Sequence, residues 1–497
     1  MAQAQKITPR AQDFSEWYND VIMQAELADY SPVRGCMVIR PNGYRIWELM
    51  QRALDDMIKA SGHQNAYFPL FIPQSFLAKE AEHVEGFAKE VALVTHTRLK
   101  ATGKTGAAAV TPDPESALEE PLVVRPTSET IIYAMFAKWI QSYRDLPLLL
   151  NQWCNVVRWE RRTRLFLRTT EFLWQEGHTA HADEADAERE ARTILGIYRS
   201  FSEDWLAMPV ITGVKTESER FAGALRTYAI EALMQDRKAL QAGTSHNLGQ
   251  NFAKAFEVQY QTAAGGQEYV WNTSWGVTTR LIGGLIMTHS DDFGLICPPR
   301  LAPVQVVLVP IWKSDDERAK VLEVGERVRG DLQGAGLRVT LDARDSLKPG
   351  AKYFEWEARG VPLRLEIGPK DVAAGQAMSA RRGGGKAPLP LAGIAAAATQ
   401  ILDEMQSGLL GTARERREAA SIRGVTKSQF IEFMKDKGGF AYGGFCGDAA
   451  CEAAIKEETA ATVRVLPDPE FRSPEAPATC MWCGRPSIAE AVWAQAY

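Results

Sequence analysis

The chain has 497 residues, 45 % hydrophobic and 24 % charged, with a formal net charge of −5. Length and composition are those of a globular protein of two to four domains, with no low-complexity tract or fixed-period repeat. The negative balance argues against a uniformly basic nucleic-acid binder, although phosphate recognition needs only a local basic face. The opening MAQAQKITPRAQDF lacks the basic and apolar regions of a secretory leader. The apolar run Leu281 to Met287 is too short to span a bilayer. A cytosolic protein without membrane association is expected.

Residues 42–60 carry Trp47, Met50, Leu54, Met57 and Ile58 at helical spacing, with Asn42 placed to cap and Ser61-Gly62 to stop the helix. An extended, proline-punctuated run follows to Pro73. Residues 100–118 have loop composition and are expected to form a surface insertion. The run Arg125-Pro126-Thr127-Ser128-Glu129-Thr130 then precedes an apolar helix. It suits a helix cap, and equally a carboxylate and hydroxyl pair displayed at a helix start for a cationic ligand.

From Leu148 the pattern reads as a strand reaching Val157-Arg158-Trp159-Glu160. A basic loop around Arg161 to Arg164 and a second strand, Thr170 to His178, follow. Alternation puts Arg158 and Glu160 on one side, and Phe172, Trp174, Glu176 and His178 on one face of the second strand. Two aromatics, a carboxylate and an imidazole are an odd core face, though a satisfied ion pair with a buried histidine would also explain them. An acidic helix over 183–207 leads to two extended stretches, QAGTSHNLGQNF and YVWNTSWGVTTRLIGGLIMTH. The first has the small and hydrogen-bonding residues of backbone that closely approaches a ligand. In the second, Arg280 opens an apolar helix, which is costly unless its guanidinium meets a phosphate or carboxylate.

The prolines of Cys297 to Pro303 mark a boundary. Beyond it strands and helices alternate: VQVVLVPI, a helix from Asp315 to Gly334, LRVTLDA, a short helix and PLRLEIGP, with an alanine-rich helix near 391–406 closing an α/β module. A basic segment, Arg414 to Lys437, precedes a tail with Cys446-x4-Cys451, a gap of 28 residues, and Cys480-x2-Cys483. No histidine occurs after His289, so a metal there would be held by cysteine alone. Four thiolates in paired spacing suit tetrahedral zinc.

These segments resemble, in order, the three signature motifs of class II aminoacyl-tRNA synthetases. Motif 1 resembles the helix ending at Ser61 and the strand after it. Motif 2 resembles Arg158-Trp159-Glu160, the loop and the strand from Arg168, and motif 3 the stretch ending at Arg280. Arg-Pro-Thr-Ser-Glu, Phe-Leu-Trp-Gln-Glu-Gly-His and Gly-Thr-Ser-His-Asn-Leu-Gly-Gln-Asn-Phe look like the prolyl-tRNA synthetase branch of class IIa, in its archaeal and eukaryote-like form with a C-terminal zinc-binding domain. Motif 3 departs from the broad class in keeping only Gly276 of its several glycines. The interval between motifs 2 and 3, about ninety residues, cannot house the editing domain of bacterial-type prolyl enzymes.

The resemblance implies a class II α+β catalytic domain over 1–300, an antiparallel sheet with flanking helices. It also implies an α/β anticodon-binding domain over 301–406 and a small zinc-binding α+β domain over 407–497. The implied reaction joins L-proline to tRNA(Pro) through prolyl-adenylate, with ATP as a substrate accompanied by Mg²⁺, and a homodimer formed through motif 1. Arg158, Glu160 and Arg280 would be catalytic. Thr127, Glu129, Arg158, Trp174, Glu176, His178, His246 and Ser274 would hold proline, and Arg158, Glu160, Arg168, Thr169, Gln241, Thr244, Thr278 and Arg280 would hold ATP. Arg364, Glu366, Lys370 and Asp371 would read the anticodon, although an exposed strand and turn would need no such role. Cys446, Cys451, Cys480 and Cys483 would bind structural Zn²⁺, and Tyr497 would pack toward the catalytic domain. A pocket separating methylenes by ~1–3 kcal/mol would admit alanine and cysteine as rare errors, which, without an editing insert, would be cleared in trans. Rapid hydrolysis of alanyl-tRNA(Pro) by the chain would refute that expectation. A threonyl or histidyl enzyme, a non-catalytic tRNA-binding paralogue and a zinc hydrolase fit the motifs less well.

Overall fold

The structure, a computed structural model, describes residues 7–78 and 91–497; residues 1–6, within the opening segment read above, lie outside it. The predicted first helix runs Pro41–Ala60 and stops at Ser61, with Gly62 left-handed at φ +98. Asn42 does not cap it: proline occupies the first position, and the Asn42 amide instead donates to the Ala25 carbonyl at 2.8 Å. Residues 99–112 are more ordered than loop composition suggested. Leu99–Ala101 and Val110–Pro112 pair as an exposed antiparallel ribbon.

The core of the first region is an antiparallel sheet. The strand Glu171–His181 lies between Leu148–Val157 and Trp271–Thr278, and the sheet continues through Ala239–Gly249, Arg226–Leu233 and Val210–Val214. Gly177 is needed in the central strand because a Cβ there would meet the Trp275 ring at 1.9 Å. The acidic helix Glu184–Asp204 buries Ala187, Ala191, Ile194, Leu195, Tyr198 and Phe201 beneath the sheet. Arg158 and Glu160 lie just past the end of their strand rather than within it.

The next module has the expected alternation. Val306–Pro310 pairs in parallel with Val339–Leu341 and Leu363–Ile367, and two antiparallel strands, Gln376–Arg381 and Lys386–Pro390, extend the sheet. The closing helix is longer than its alanine pattern indicated. It starts at Ile394 and runs through residue 406 to Ala419, because Ala398, Ile401, Leu402, Gln406 and Ala413 keep one buried side.

The C-terminal segment adds Ser421–Arg423, Phe440–Phe445, Ala489–Ala494 and Thr462–Pro467 in that spatial order. The last of these hydrogen-bonds to Val210–Val214, with Gly213 opposite Pro467 and Val214 opposite Leu466, so that one sheet of eleven strands runs through both regions. Gly213 makes the junction possible, since a Cβ would stand 2.2 Å from the Leu466 carbonyl oxygen. Tyr497 packs toward the first region as expected: its N–H donates to the Ala239 carbonyl at 3.1 Å and its hydroxyl to Asp236 at 2.6 Å, while Arg164 lies 5.3 Å from its ring.

Candidate active site

Every residue expected to hold proline or nucleotide faces one cavity of about 330 Å³, a size typical of small-molecule sites. Alternation on the central strand aims Phe172, Trp174, Glu176 and His178 into it. Arg158, Glu160, Arg168 and Thr169 enter from the adjoining strand end and loop. Gln241, Thr244 and His246 come from Ala239–Gly249, and Ser274, Thr278 and Arg280 from the last strand and the helix after it.

Thr127, Ser128 and Glu129 are not used as a cap. Ser128 precedes the helix Glu129–Trp139 without capping it and donates instead to Glu176 at 2.5 Å, while the Thr127 hydroxyl donates to the Glu129 carboxylate. Glu176 also accepts from Gln152 at 2.8 Å and meets the His178 ring at 2.9 Å, whose other nitrogen contacts the Tyr133 hydroxyl at 3.3 Å. Burial raises the pKa of a carboxyl, but these partners outweigh it and hold Glu176 below its ordinary value. Burial would lower the pKa of His178, but Glu176 outweighs that and raises it. Each member of the pair thus favours the charged form of the other within the cavity wall. Next to it, the Trp174 indole N–H donates to Cys154 Sγ at 3.0 Å, which fixes the plane of the ring.

His246 behaves differently. Its Nδ1 meets the Thr227 hydroxyl at 2.9 Å and Phe221 packs 4.6 Å away, and burial, aided by the His178 charge, lowers its pKa to about 3. Burial likewise lowers His289 to about 4, with its ring on the Leu206 carbonyl at 2.8 Å. Both folded values lie below the ordinary value of about 6.5, so the unfolded chain binds protons that the folded chain does not. Stability is thus lost as pH falls below about 6.5 toward those values. His178, with its raised value, contributes stability that is present below about 6.5 and lost as pH rises through its folded value. Replacing His289 by glutamine should flatten the acid limb by up to about 1.4 kcal/mol per pH unit, read from melting temperatures between about pH 6 and pH 5; parallel limbs in both proteins would refute this.

The two motif arginines are anchored on carbonyl oxygens. Arg158 Nε donates to Pro126 at 2.9 Å, and its guanidinium lies 5.4 Å from the Trp174 ring and 5.6 Å from Phe172. Arg280 donates to Leu167 at 3.2 Å and Gln241 at 3.4 Å, and makes no ion pair among the described residues. Burial first, then the Arg158 and Arg168 charges, lower its pKa to about 10. Three guanidinium groups converging on one cavity make a site for polyanions. Arg168 is 3.5 Å from Glu160. The Thr169 hydroxyl donates to the Glu171 carbonyl.

Lys215, Glu219 and Phe221 line the same cavity but carry no motif by which sequence reasoning could have found them. In the second module Arg364 and Glu366 lie on a fully buried strand rather than an exposed one. Arg364 pairs with Glu366 at 3.1 Å and Glu357 at 2.6 Å, and Lys386 reaches Glu366 at 2.7 Å. The Asp371 carboxylate accepts the Gly368 N–H, capping its own helix, and Lys370 is exposed. The four clustered cysteines place their sulfurs within 4.8 Å of one another, 3.6 Å for Cys446 to Cys451 and 3.7 Å for Cys446 to Cys483. Tetrahedral zinc with bonds of about 2.3 Å requires sulfurs about 3.8 Å apart, so the donor set fits that ion. Arg485 reaches Cys483 at 3.3 Å and draws that thiol down to about 6.

Residues 113–289 match the tRNA synthetase class II core domain family (G, H, P, S and T), 305–394 an anticodon binding domain, and 428–497 the prolyl-tRNA synthetase C-terminal family. The proline--tRNA ligase of Amoebophilus asiaticus is 53 % identical over 493 residues, 99 % of each chain, and proline--tRNA ligase 2 of Anaeromyxobacter dehalogenans is 53 % identical over 509 residues, 98 % of each. The chain belongs to the proline--tRNA ligase family. The crystal structure of prolyl-tRNA synthetase from Cryptosporidium parvum complexed with halofuginone and AMPPNP is 39 % identical, covers 99 % of each chain and superposes with a TM-score of 0.91. The chain is accordingly a class II aminoacyl-tRNA ligase, with an antiparallel catalytic sheet, an anticodon-binding module and a C-terminal cysteine cluster.

Proposed function

We propose that the chain activates L-proline with ATP, releasing pyrophosphate, and passes the prolyl group to the 3′-terminal ribose hydroxyl of tRNA(Pro). The observation that supports this best is the meeting in one cavity of a carboxylate-and-indole wall with three guanidinium groups. The proline carboxylate attacks the α-phosphate, and the adenylate then yields its prolyl group to the hydroxyl. No covalent enzyme intermediate is needed, so catalysis rests on positioning and on neutralising phosphate charge. Glu129, supported by Thr127, accepts the secondary ammonium. Trp174 is the flat apolar wall, while Glu176, His178, His246 and Ser274 set the pocket's polar end. Arg158 bridges the substrate carboxylate and α-phosphate, and Arg280 takes the γ-phosphate. Arg168, Thr169, Gln241, Thr244 and Thr278 surround the nucleotide. Glu160 would orient ATP or the magnesium that accompanies it, an ion that would supply further neutralisation of phosphate charge.

ATP–pyrophosphate exchange with a panel of amino acids tests this reading: proline should dominate, and exchange led by another amino acid would overturn it. Trp174→Ala should raise the proline KM by about tenfold or more while leaving the ATP KM within about twofold, since the loss of a buried aromatic wall costs ~1–3 kcal/mol of ligand binding. Equal effects on both substrates would remove Trp174 from the proline pocket.

The reading extends to the whole chain as units 1–300, 301–406 and 407–497. Arg364, Glu366, Lys370 and Asp371 are assigned to the guanines of the anticodon, because guanidinium and carboxylate groups match guanine edges. A homodimer through the motif 1 region is supported by the two-residue edge strand Gln64–Asn65 and the nearby Tyr67, 72 % exposed. Structural zinc is assigned to the four cysteines, and such thiols suit a cytoplasmic, reducing location.

A further inference from the structure

The C-terminal region reaches the cavity wall through a buried carboxylate. Glu231, on the strand Arg226–Leu233, has a fully buried side chain and lies opposite Gln241, whose carbonyl anchors Arg280. Both of its oxygens are taken from outside the catalytic motifs. Arg464, on the strand Thr462–Pro467, donates its Nε to one oxygen and a terminal nitrogen to the other, each at 3.0 Å. Lys215 adds a bond at 2.8 Å. The Arg464 and Lys215 side chains are 8 % and 2 % exposed, so these are desolvated charges with little competition from water. Lys215 itself forms part of the cavity wall, beside Glu219.

We propose that Arg464 is a positioning residue for the nucleotide: by occupying both oxygens of Glu231 it keeps that carboxylate off Arg280 and holds Lys215 on the cavity wall. The proposal rests on the reading that Arg280 and Gln241 hold ATP. Two cations on one carboxylate leave a net positive charge beside the phosphate end. Without Arg464 the cluster becomes neutral, and Glu231 has an oxygen with no donor. Its nearby unpaired cation is Arg280, whose environment already includes the opposing charge of Glu231. An arginine drawn toward Glu231 is an arginine withdrawn from phosphate. The sheet junction at Gly213 and Pro467 brings Arg464 to this point, which makes the C-terminal region part of the apparatus for binding ATP as well as the carrier of the cysteine cluster.

The test uses full-length protein and measures KM for ATP and for proline in pyrophosphate exchange. Arg464→Ala should raise the ATP KM by about tenfold, in line with coupling between buried charge pairs, and leave the proline KM within about twofold. Adding Glu231→Gln in the same chain removes the competing carboxylate and restores one net positive charge, and the ATP KM should return to within about threefold of the parent. A purely structural role predicts the opposite, a double variant worse than the single one. If Arg464→Ala fails to fold, Arg464→Lys, which keeps the charge but loses the fork, should give an intermediate rise in the ATP KM alone. An unchanged ATP KM, equal rises for both substrates, or no rescue by Glu231→Gln would overturn the proposal. Arg280→Ala separates this from the reading beneath it. If it raises the ATP KM and Arg464→Ala does not, the proposal fails and the nucleotide assignment stands. If neither does, the nucleotide assignment is what fails.

Discussion

Arg158→Ala is expected to lower proline-dependent pyrophosphate exchange by about 10²–10³-fold, the loss seen when one preorganised donor to a developing oxyanion is removed. The size follows from how the side chain is held. Its Nε is anchored on the Pro126 carbonyl, and its guanidinium lies against Trp174 and Phe172, so little ordering remains to be done when substrates bind. Negative charge grows at the α-phosphate as the carboxylate attacks, and a contact that strengthens in that state appears in kcat rather than in KM. Arg158→Lys should recover only part of the rate, because a point charge replaces a forked donor that can serve two anions. Exchange by Arg158→Ala within tenfold of the parent would show that the guanidinium stands beside the chemistry without taking part in it.

Arg158 was legible through the motif it resembles, and the wall it faces through the alternating faces of a strand. Phe172, Trp174, Glu176 and His178 alternate on one face, which a buried ion pair could also have explained until the cavity they line was seen. Gln241, Thr244 and His246 were legible differently, from the small and hydrogen-bonding composition of their segment and from its resemblance to the family motif. Interactions between segments distant in sequence were not legible. The junction of Val210–Val214 with Thr462–Pro467 joins elements far apart along the chain, and neither carries a mark of the other except Gly213, which reads as an ordinary strand glycine until the Leu466 carbonyl is seen above it. Lys215 and Glu231 were invisible for the same reason: a buried ion pair needs its partner to be recognised. Asn42 misled because a good capping residue sits one position after a proline that already starts the helix. The alanine-rich helix outran its expected end because its buried side continues through Gln406 and Ala413, which hydropathy does not flag.

Cys480→Ser should remove bound zinc from the purified chain, from about one ion per chain to almost none by elemental analysis, and lower the melting temperature. Cys480 is 2 % exposed and belongs to the same buried cluster as Cys451, Met481 and Trp493. Loss of the ion would leave the other cysteine sulfurs facing one another without the charge that holds them together. Zinc in isolated finger peptides contributes ~10–16 kcal/mol of apparent folding energy, but those peptides lack a core. Here Phe430, Phe445, Ile455 and Trp493 add apolar packing that such peptides lack, so a smaller loss, of about 2–4 kcal/mol, is expected. The effect should not stop at the cysteines. The strand Ala489–Ala494 carries the chain from the metal site to Tyr497, and its neighbour Thr462–Pro467 carries Arg464 to Glu231. Loosening the cysteine end should therefore raise the ATP KM more than the proline KM, in the same direction as Arg464→Ala. A chain that binds no zinc as isolated, and melts identically with and without chelator, would make the four cysteines a packing cluster and leave Arg464 to be supported by the sheet alone.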